Sequence, residues 1–319
     1  MKQVKISDIP GFKIGHEQDY EAATGCTVII CEKGAIAGVD VRGGAPGTRE
    51  TDLLNPINMV DRMHAVVLSG GSAFGLDAAS GVMNYLEEKG VGFDVGVTKV
   101  PIVGSAVLFD LAIGDYKIRP DREMGYRACL NTSGDCLEGS VGAGTGATVG
   151  KVLGMGRAMK GGLGSYCIKV GNLMVGAVVA VNCFGDVFDP KTGNILAGTL
   201  NDDMKTFANS EEVLLKSYSD MGDVFTGNTT IGAIITNAVL NKPQANKVAS
   251  MAHNAYGRTI RPAHTMVDGD TIFALANCEV EADVNVVGFL SVRAMEQAVL
   301  NAVVKATSLC GITCYSDIK

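Results

Sequence analysis

The chain has 319 residues, of which 47% are hydrophobic, 19% charged and 41 glycine, a balance that suggests one compact domain over residues 1–319, rich in buried strands and tight turns. Its formal charge of −7, with no run of Lys or Arg, argues against nucleic acid or an anionic membrane surface as partner, since either calls for a basic patch. Residues Met1 to Asp8 are too polar for a secretory core and no uninterrupted apolar stretch reaches the length of a membrane span, so a cytoplasmic protein is expected.

Thr27 to Cys31 and Ala35 to Val41 are expected to form a hairpin around Glu32, Lys33 and Gly34, and Ala65 to Leu68 a buried strand running into Gly70-Gly71. Ser72 to Lys89 reads as a helix: Phe74, Leu76, Ala78, Ala79, Val82, Met83 and Leu86 recur at helical spacing, and Gly90 is a good stop. Leu173 to Val181 and Ile231 to Val239 are nearly continuous apolar runs, as expected of strands buried on both faces. Leu275 to Val280 suggests a further strand and Val286 to Ser308 a closing helix. Nine cysteines, an odd number in mostly apolar contexts, read as small buried hydrophobes. Cys310 and Cys314 lack a second ligand pair at zinc spacing, so no metal is expected.

Three glycine-rich stretches invite a phosphate-binding reading, and none sustains it. Between Gly139 and Lys151 the first glycine of a P-loop is replaced by Thr145, and Val152 stands where Ser or Thr would hold magnesium. A dinucleotide fingerprint at Gly142, Gly144 and Gly146 lacks a preceding strand. Gly70, Gly71 and Ser72, ahead of a helix, can bind a substrate carboxylate through free amides or can serve close packing. No cofactor is expected.

The stretch from Gly227 to Gly232, Gly-Asn-Thr-Thr-Ile-Gly, carries the chemistry. Asn and Thr before an apolar run are ordinary turn chemistry, yet they also suit a precursor that cuts itself to expose an N-terminal threonine. A threonine hydroxyl is a weak nucleophile, and none of the four histidines stands in a recognisable triad context. An α-amino group titrating at about 7.7–8.0 is a base of suitable strength, and one would be attached to Thr229 only after the Asn228–Thr229 bond breaks.

Leu68 to Ala79, then Phe184-Gly185-Asp186-Val187 after Val181-Asn182, then Asn228 to Gly232 resemble, in order, the signatures of the self-processing aminopeptidases. That family contains the L-aminopeptidase/D-esterases, the β-aminopeptidases and the nylon-oligomer endohydrolases, and the resemblance covers almost the whole chain. It implies an α+β fold, a four-layer αββα sandwich of the N-terminal-nucleophile type, cleaved into residues 1–228 and 229–319.

The same resemblance implies the site. Lys151 corresponds to an active-site lysine of the nylon-oligomer branch, where like charge would lower the pKa of the new amine; otherwise it is a solvated loop residue. Asn182 lines the site and can donate to an oxyanion; otherwise it ends a strand. Asp268 and Asp270 correspond to polar residues that position the hydroxyl and the amine, where an Asp/Gly-rich turn is the ordinary reading. The aspartate pair departs from the Ser/Glu of β-aminopeptidases, Thr229 replaces a serine, and Phe109 replaces a tyrosine beside the substrate. The expected activity is amide hydrolysis by an N-terminal threonine, as an aminopeptidase on small peptides or amino-acid amides, with the acidic pair attracting the substrate ammonium. Two rivals remain: an acyltransferase resembling ornithine acetyltransferase, and an uncleaved small-molecule binding protein on the same fold. An apolar chain with short loops also suggests a homo-oligomer, a tetramer.

Overall fold

The computed structural model describes residues 1–132, 134–218 and 227–319. Its main strands are β1 (Lys13–Asp19), β2 (Thr24–Val41), β3 (Arg62–Ser69), β4 (Val103–Val107), β5 (Gly162–Val170), β6 (Leu173–Asn182), β7 (Thr229–Ala238) and β8 (Thr271–Val280). Four helices cover them: α1 (Ala78–Glu88), α2 (Arg122–Leu130), α3 (Lys242–Thr259) and α4 (Val284–Val304). The strands hydrogen-bond in the order β5-β6-β7-β8-β2-β3-β4, with β1 also on β2. The pairs β7–β8 and β3–β4 are parallel, and each is joined through a helix, as parallel strands require.

Strand alternation divides the apolar side chains among three cores. Along β2, Ile29, Cys31, Ala35 and Ala37 share one core with Val66, Leu68, Val178, Ala180, Ile231, Ala233, Ile235, Phe273 and Leu275. The opposite face of β2, at Cys26, Val28 and Ile30, packs under α1 and α2 with Val82, Leu86 and Cys129. The outer face of β6–β8, with Val175, Val179, Ile234 and Ile272, packs under α3 and α4. Helices, strands, strands, helices are therefore stacked around a central sheet-on-sheet core, the αββα arrangement expected.

The expected hairpin at Glu32–Gly34 is corrected. Thr24 to Val41 is one strand, and its pairing with β3 jumps from Ile30↔Ala65 to Ala35↔Met63. The polar residues form a bulge rather than a turn. Beyond it β2 leaves the α1–α2 core: Ile36 packs under α3 and α4 and residues 36–41 pair with β8. One strand thus serves both layers.

The other elements follow the apolar pattern more closely. Ser72 to Asp77 is a 3₁₀ turn leading into α1 rather than α-helix throughout. β8 begins at Thr271, four residues ahead of the expected Leu275. α4 begins at Val284, where the Asp283 carboxylate caps the amides of Asn285 and Val286, and ends at Val304. With 21 residues it is long and apolar enough by length and composition to span a membrane, but Asn285, Arg293 and Glu296 interrupt its apolar run and 61% of its apolar window is buried inside the protein.

Candidate active site

The Asn182 end of β6, the Thr229 end of β7 and the start of β8 meet at one edge of the sandwich. Asn182 pairs with Thr229, and Asn228 bridges to Asp268 just ahead of β8. The Gly43–Gly47 turn, which follows β2, completes the wall, since Ala45 N donates to Asp268 O at 2.8 Å. A cleft of about 120 Å³ opens here, bordered by Ala45, Pro46, Ser72, Phe109, Asn228 and Thr229 among others, and among the described residues its lining holds no charged side chain.

The Asn228 carbonyl is held from two sides. Thr229 Oγ1 donates to it in a very short contact, and Gly269 N donates to it at 3.0 Å. The Gly269 amide thus lies where a donor would stabilise negative charge developing on this oxygen. Only glycine fits there: a Cβ on residue 269 would lie 2.7 Å from Thr229 Oγ1 and 2.9 Å from Ala45 O. Gly227, with φ +44°, lies against the Phe109 ring so closely that a Cβ would fall 2.3 Å from it.

Lys151 is 1% exposed, not the solvated loop residue of the ordinary reading. Its Nζ donates to Asn182 O at 3.1 Å and to Asn182 Oδ1 at 3.0 Å, and lies 3.5 Å from Gly227 O. Burial pulls its pKa down to about 7, with opposing contributions from Cys183, Asp268 and Asp110. Asn182 Oδ1 also accepts from Thr148 N at 2.9 Å. Its Nδ2 donates to Phe109 O at 3.0 Å and reaches Gly227 O at 3.5 Å. In this uncut chain the donor on the Asn228 carbonyl is therefore Gly269 N, while the Asn182 amide holds neighbouring carbonyls.

The two aspartates flank the site with their side chains turned inward, 1% and 2% exposed. Asp268 Oδ2 accepts from Thr265 N at 2.7 Å and Thr265 Oγ1 at 2.6 Å, and burial pushes its pKa up to about 6. Asp270 Oδ1 accepts from Thr230 N at 2.7 Å. Among the described residues their side-chain hydrogen bonds run to Thr265, Thr230 and His264, and Asp270 is tied to the Thr229 peptide through the Thr230 amide.

Gly70 and Gly71 stand apart from the cleft lining. Gly70 N donates to Gly25 O at 2.9 Å, Gly71 N to Asp110 Oδ1 at 2.7 Å and Ser72 N to Leu108 O at 2.9 Å. The amides are occupied, and close packing is their role in this structure. Ser72 and Phe109 do border the cleft. Gly269, Thr148 and the Gly43–Gly47 turn were not anticipated; a Gly-Gly-Ala-Pro-Gly run after a strand was the available signal for the turn. Among the described residues no group of three or more His, Cys, Asp or Glu side chains is placed to hold a metal ion.

Residues 4–315 match the family model of peptidase family S58. The chain belongs to that family. It is 40% identical to an uncharacterized aminopeptidase of Mycobacterium bovis, with 98% of this chain and 97% of the relative aligned. A 6-aminohexanoate-oligomer endohydrolase of Kocuria is 34% identical over 86% of this chain and 75% of its own length. Among solved structures, the L-aminopeptidase D-Ala-esterase/amidase of Ochrobactrum anthropi, described as a variant of the Ntn hydrolase fold, superposes with a TM-score of 0.71 at 18% identity, covering 96% of this chain and 87% of that one. As an S58 peptidase, the protein is a hydrolase acting on amide bonds.

Proposed function

We propose that the protein cuts its own Asn228–Thr229 bond and then uses Thr229 as an N-terminal nucleophile, as an aminopeptidase on small peptides or amino-acid amides. The observation that carries this reading is the Asn228 carbonyl, approached by the Thr229 hydroxyl and polarised by the Gly269 amide. Attack of Oγ1 on that carbon breaks the C–N bond with transfer of a proton to nitrogen, leaving an ester. Water then hydrolyses the ester, releasing the Asn228 carboxylate and restoring the Thr229 hydroxyl beside the amine freed in the shift.

In the mature enzyme that amine takes the hydroxyl proton as Oγ1 attacks an incoming amide, and hands a proton to the departing amine. Water closes the cycle by hydrolysing the acyl-enzyme. The acyl part of the substrate takes the place of Gly227-Asn228 against Phe109, in a cleft whose lining among the described residues is small and uncharged and favours small acyl groups. Lys151 Nζ and Asn182 Nδ2 lie behind the cleft lining, each 3.5 Å from Gly227 O.

Intact mass of the purified protein after long incubation tests the first step. The expected result is two chains, 1–228 and 229–319, separable under denaturing conditions without reductant; all nine cysteines are free in the uncut chain. Intact chain alone would remove the basis of the proposal and favour a binding protein on this fold.

The role of Lys151 has its own signature. Its burial-lowered pKa of about 7 means that its positive charge is present below that pH and fades above it. A cation there disfavours protonation of the Thr229 amine and lowers the amine's pKa. Lys151→Met, which roughly keeps the volume and removes the charge, should therefore move the acidic limb of kcat/KM to higher pH. A pH–rate profile on a chromogenic amino-acid anilide, measured on verified cleaved protein, checks this; an unchanged limb would reduce Lys151 to packing.

A further inference from the structure

On the α3 side of β7, behind Thr229, lies a group of buried polar side chains that the reaction above does not use. Thr230 Oγ1, Tyr256 Oη, His253 Nδ1 and His264 Nε2 are all buried without a hydrogen-bond partner among the described residues. The three rings stand together, with centroids 4.9 Å apart for His253 and His264, 5.3 Å for His253 and Tyr256, and 6.0 Å for Tyr256 and His264. Polar groups in such a place cost stability relative to apolar side chains of the same shape, and their presence calls for a reason.

The reason lies in what His264 holds. Its ring Nδ1 is 2.8 Å from Asp270 Oδ2, and its backbone N donates to the same oxygen at 3.1 Å. The other oxygen, Asp270 Oδ1, accepts from Thr230 N. Because a carboxylate accepts, the ring proton sits on Nδ1, and Nε2 faces the polar group. His253 is fixed differently: its Nε2 donates to Asp40 O at 2.9 Å, and burial keeps the ring neutral, with a pKa of about 4. Its Nδ1 is therefore a bare acceptor and does not compete for Asp270. His264 itself adopts φ +58°, a conformation that a non-glycine residue keeps only where its surroundings enforce it.

We propose that His264 is a positioning residue for Thr229: it orients the Asp270 carboxylate, which holds the Thr230 amide and so fixes the peptide plane from which the Thr229 hydroxyl projects. The inference rests on reading Thr229 as the nucleophile. With the imidazole gone, Asp270 loses its ring partner and can turn away from Thr230, and an error of a fraction of an ångström at Oγ1 is enough to slow attack.

The test compares His264→Leu, His264→Asn, Asp270→Asn and the double variant His264→Leu/Asp270→Asn. Each is followed by its rate of self-cleavage and, once cleaved, by kcat and KM on an amino-acid anilide. His264→Leu should slow self-cleavage and lower kcat by about 10 to 100 fold with little change in KM. His264→Asn, whose amide can donate to Asp270 in place of Nδ1–H, should recover most of that loss. The double variant should be no slower than Asp270→Asn alone, because both changes break one chain of contacts. Wild-type rates in His264→Leu, equal losses in the Leu and Asn variants, or additive losses in the double variant would each overturn the proposal. If the unmodified protein stays uncut and inactive, the nucleophile reading fails on its own, and hydrogen exchange of the Thr230 amide in the intact chain decides the positioning claim. Exchange should be about tenfold faster in His264→Leu and near wild type in His264→Asn; equal exchange in all three would overturn it.

Discussion

Thr229→Ala should leave a single 319-residue chain that neither cuts itself nor hydrolyses amides, whereas Thr230→Ala should still cut. The two hydroxyls face opposite ways across a strand, as alternation demands. Thr229 Oγ1 lies on the Asn228 carbonyl; Thr230 Oγ1 points to the helical side, and only the Thr230 backbone amide engages Asp270. Alanine at 230 keeps that amide. Denaturing electrophoresis of both variants after equal incubation, with intact mass on each band, gives the answer. A Thr230 variant that stays whole beside a Thr229 variant that cuts would shift the nucleophile by one residue.

Gly269→Ala should slow self-cleavage by roughly 100 fold or more while leaving the protein folded. The new methyl falls 2.7 Å from Thr229 Oγ1 and 2.9 Å from Ala45 O, so either the hydroxyl or the Asp268–Asp270 turn must move. Both sides of the Asn228 carbonyl suffer together, because the amide that donates to it belongs to the same residue. Loss or misplacement of one such donor commonly costs about 100 to 1000 fold in rate. A time course of cleavage, read beside a thermal melt, separates this from unfolding. Wild-type cleavage in Gly269→Ala would mean that neither the amide nor the close packing against Oγ1 matters to the reaction.

What the sequence made legible follows from what each element buries. β6 and β7 are apolar over nearly their whole length because they lie between layers, α4 carries a broad apolar face against the sheet, and the limits of all three fall within a few residues of the apolar runs. The bulge in β2 was read as a hairpin because Glu32-Lys33-Gly34 carries turn chemistry, and only pairing with β3 and β8 reveals that the strand continues. The four-layer order came from family resemblance, since periodicity does not say which buried strands face each other. At the site, Thr229, Asn182 and Lys151 were legible as residue types and do gather in space. Gly269 and His264 were not, because one meets the Asn228 carbonyl with a backbone amide and the other reaches the site only through the Asp270 carboxylate, and neither leaves a side-chain pattern in the chain. Gly70-Gly71 was ambiguous for the converse reason: amides that look free in sequence are taken up by Gly25 and Asp110.

β7 begins at Thr229 and runs through the middle of the sheet, laddered to β6 on one side and β8 on the other. A chain opened at Asn228–Thr229 therefore becomes two polypeptides whose shared surface is the protein's own interior, with no loose partner to dissociate. Folding of the precursor is unimolecular, but reassembly of the cut form is an encounter between two molecules, so its melting temperature acquires a dependence on protein concentration. Self-cleavage would thus turn a protein that can refold by itself into one whose first folding, as a single chain, is its most favourable opportunity.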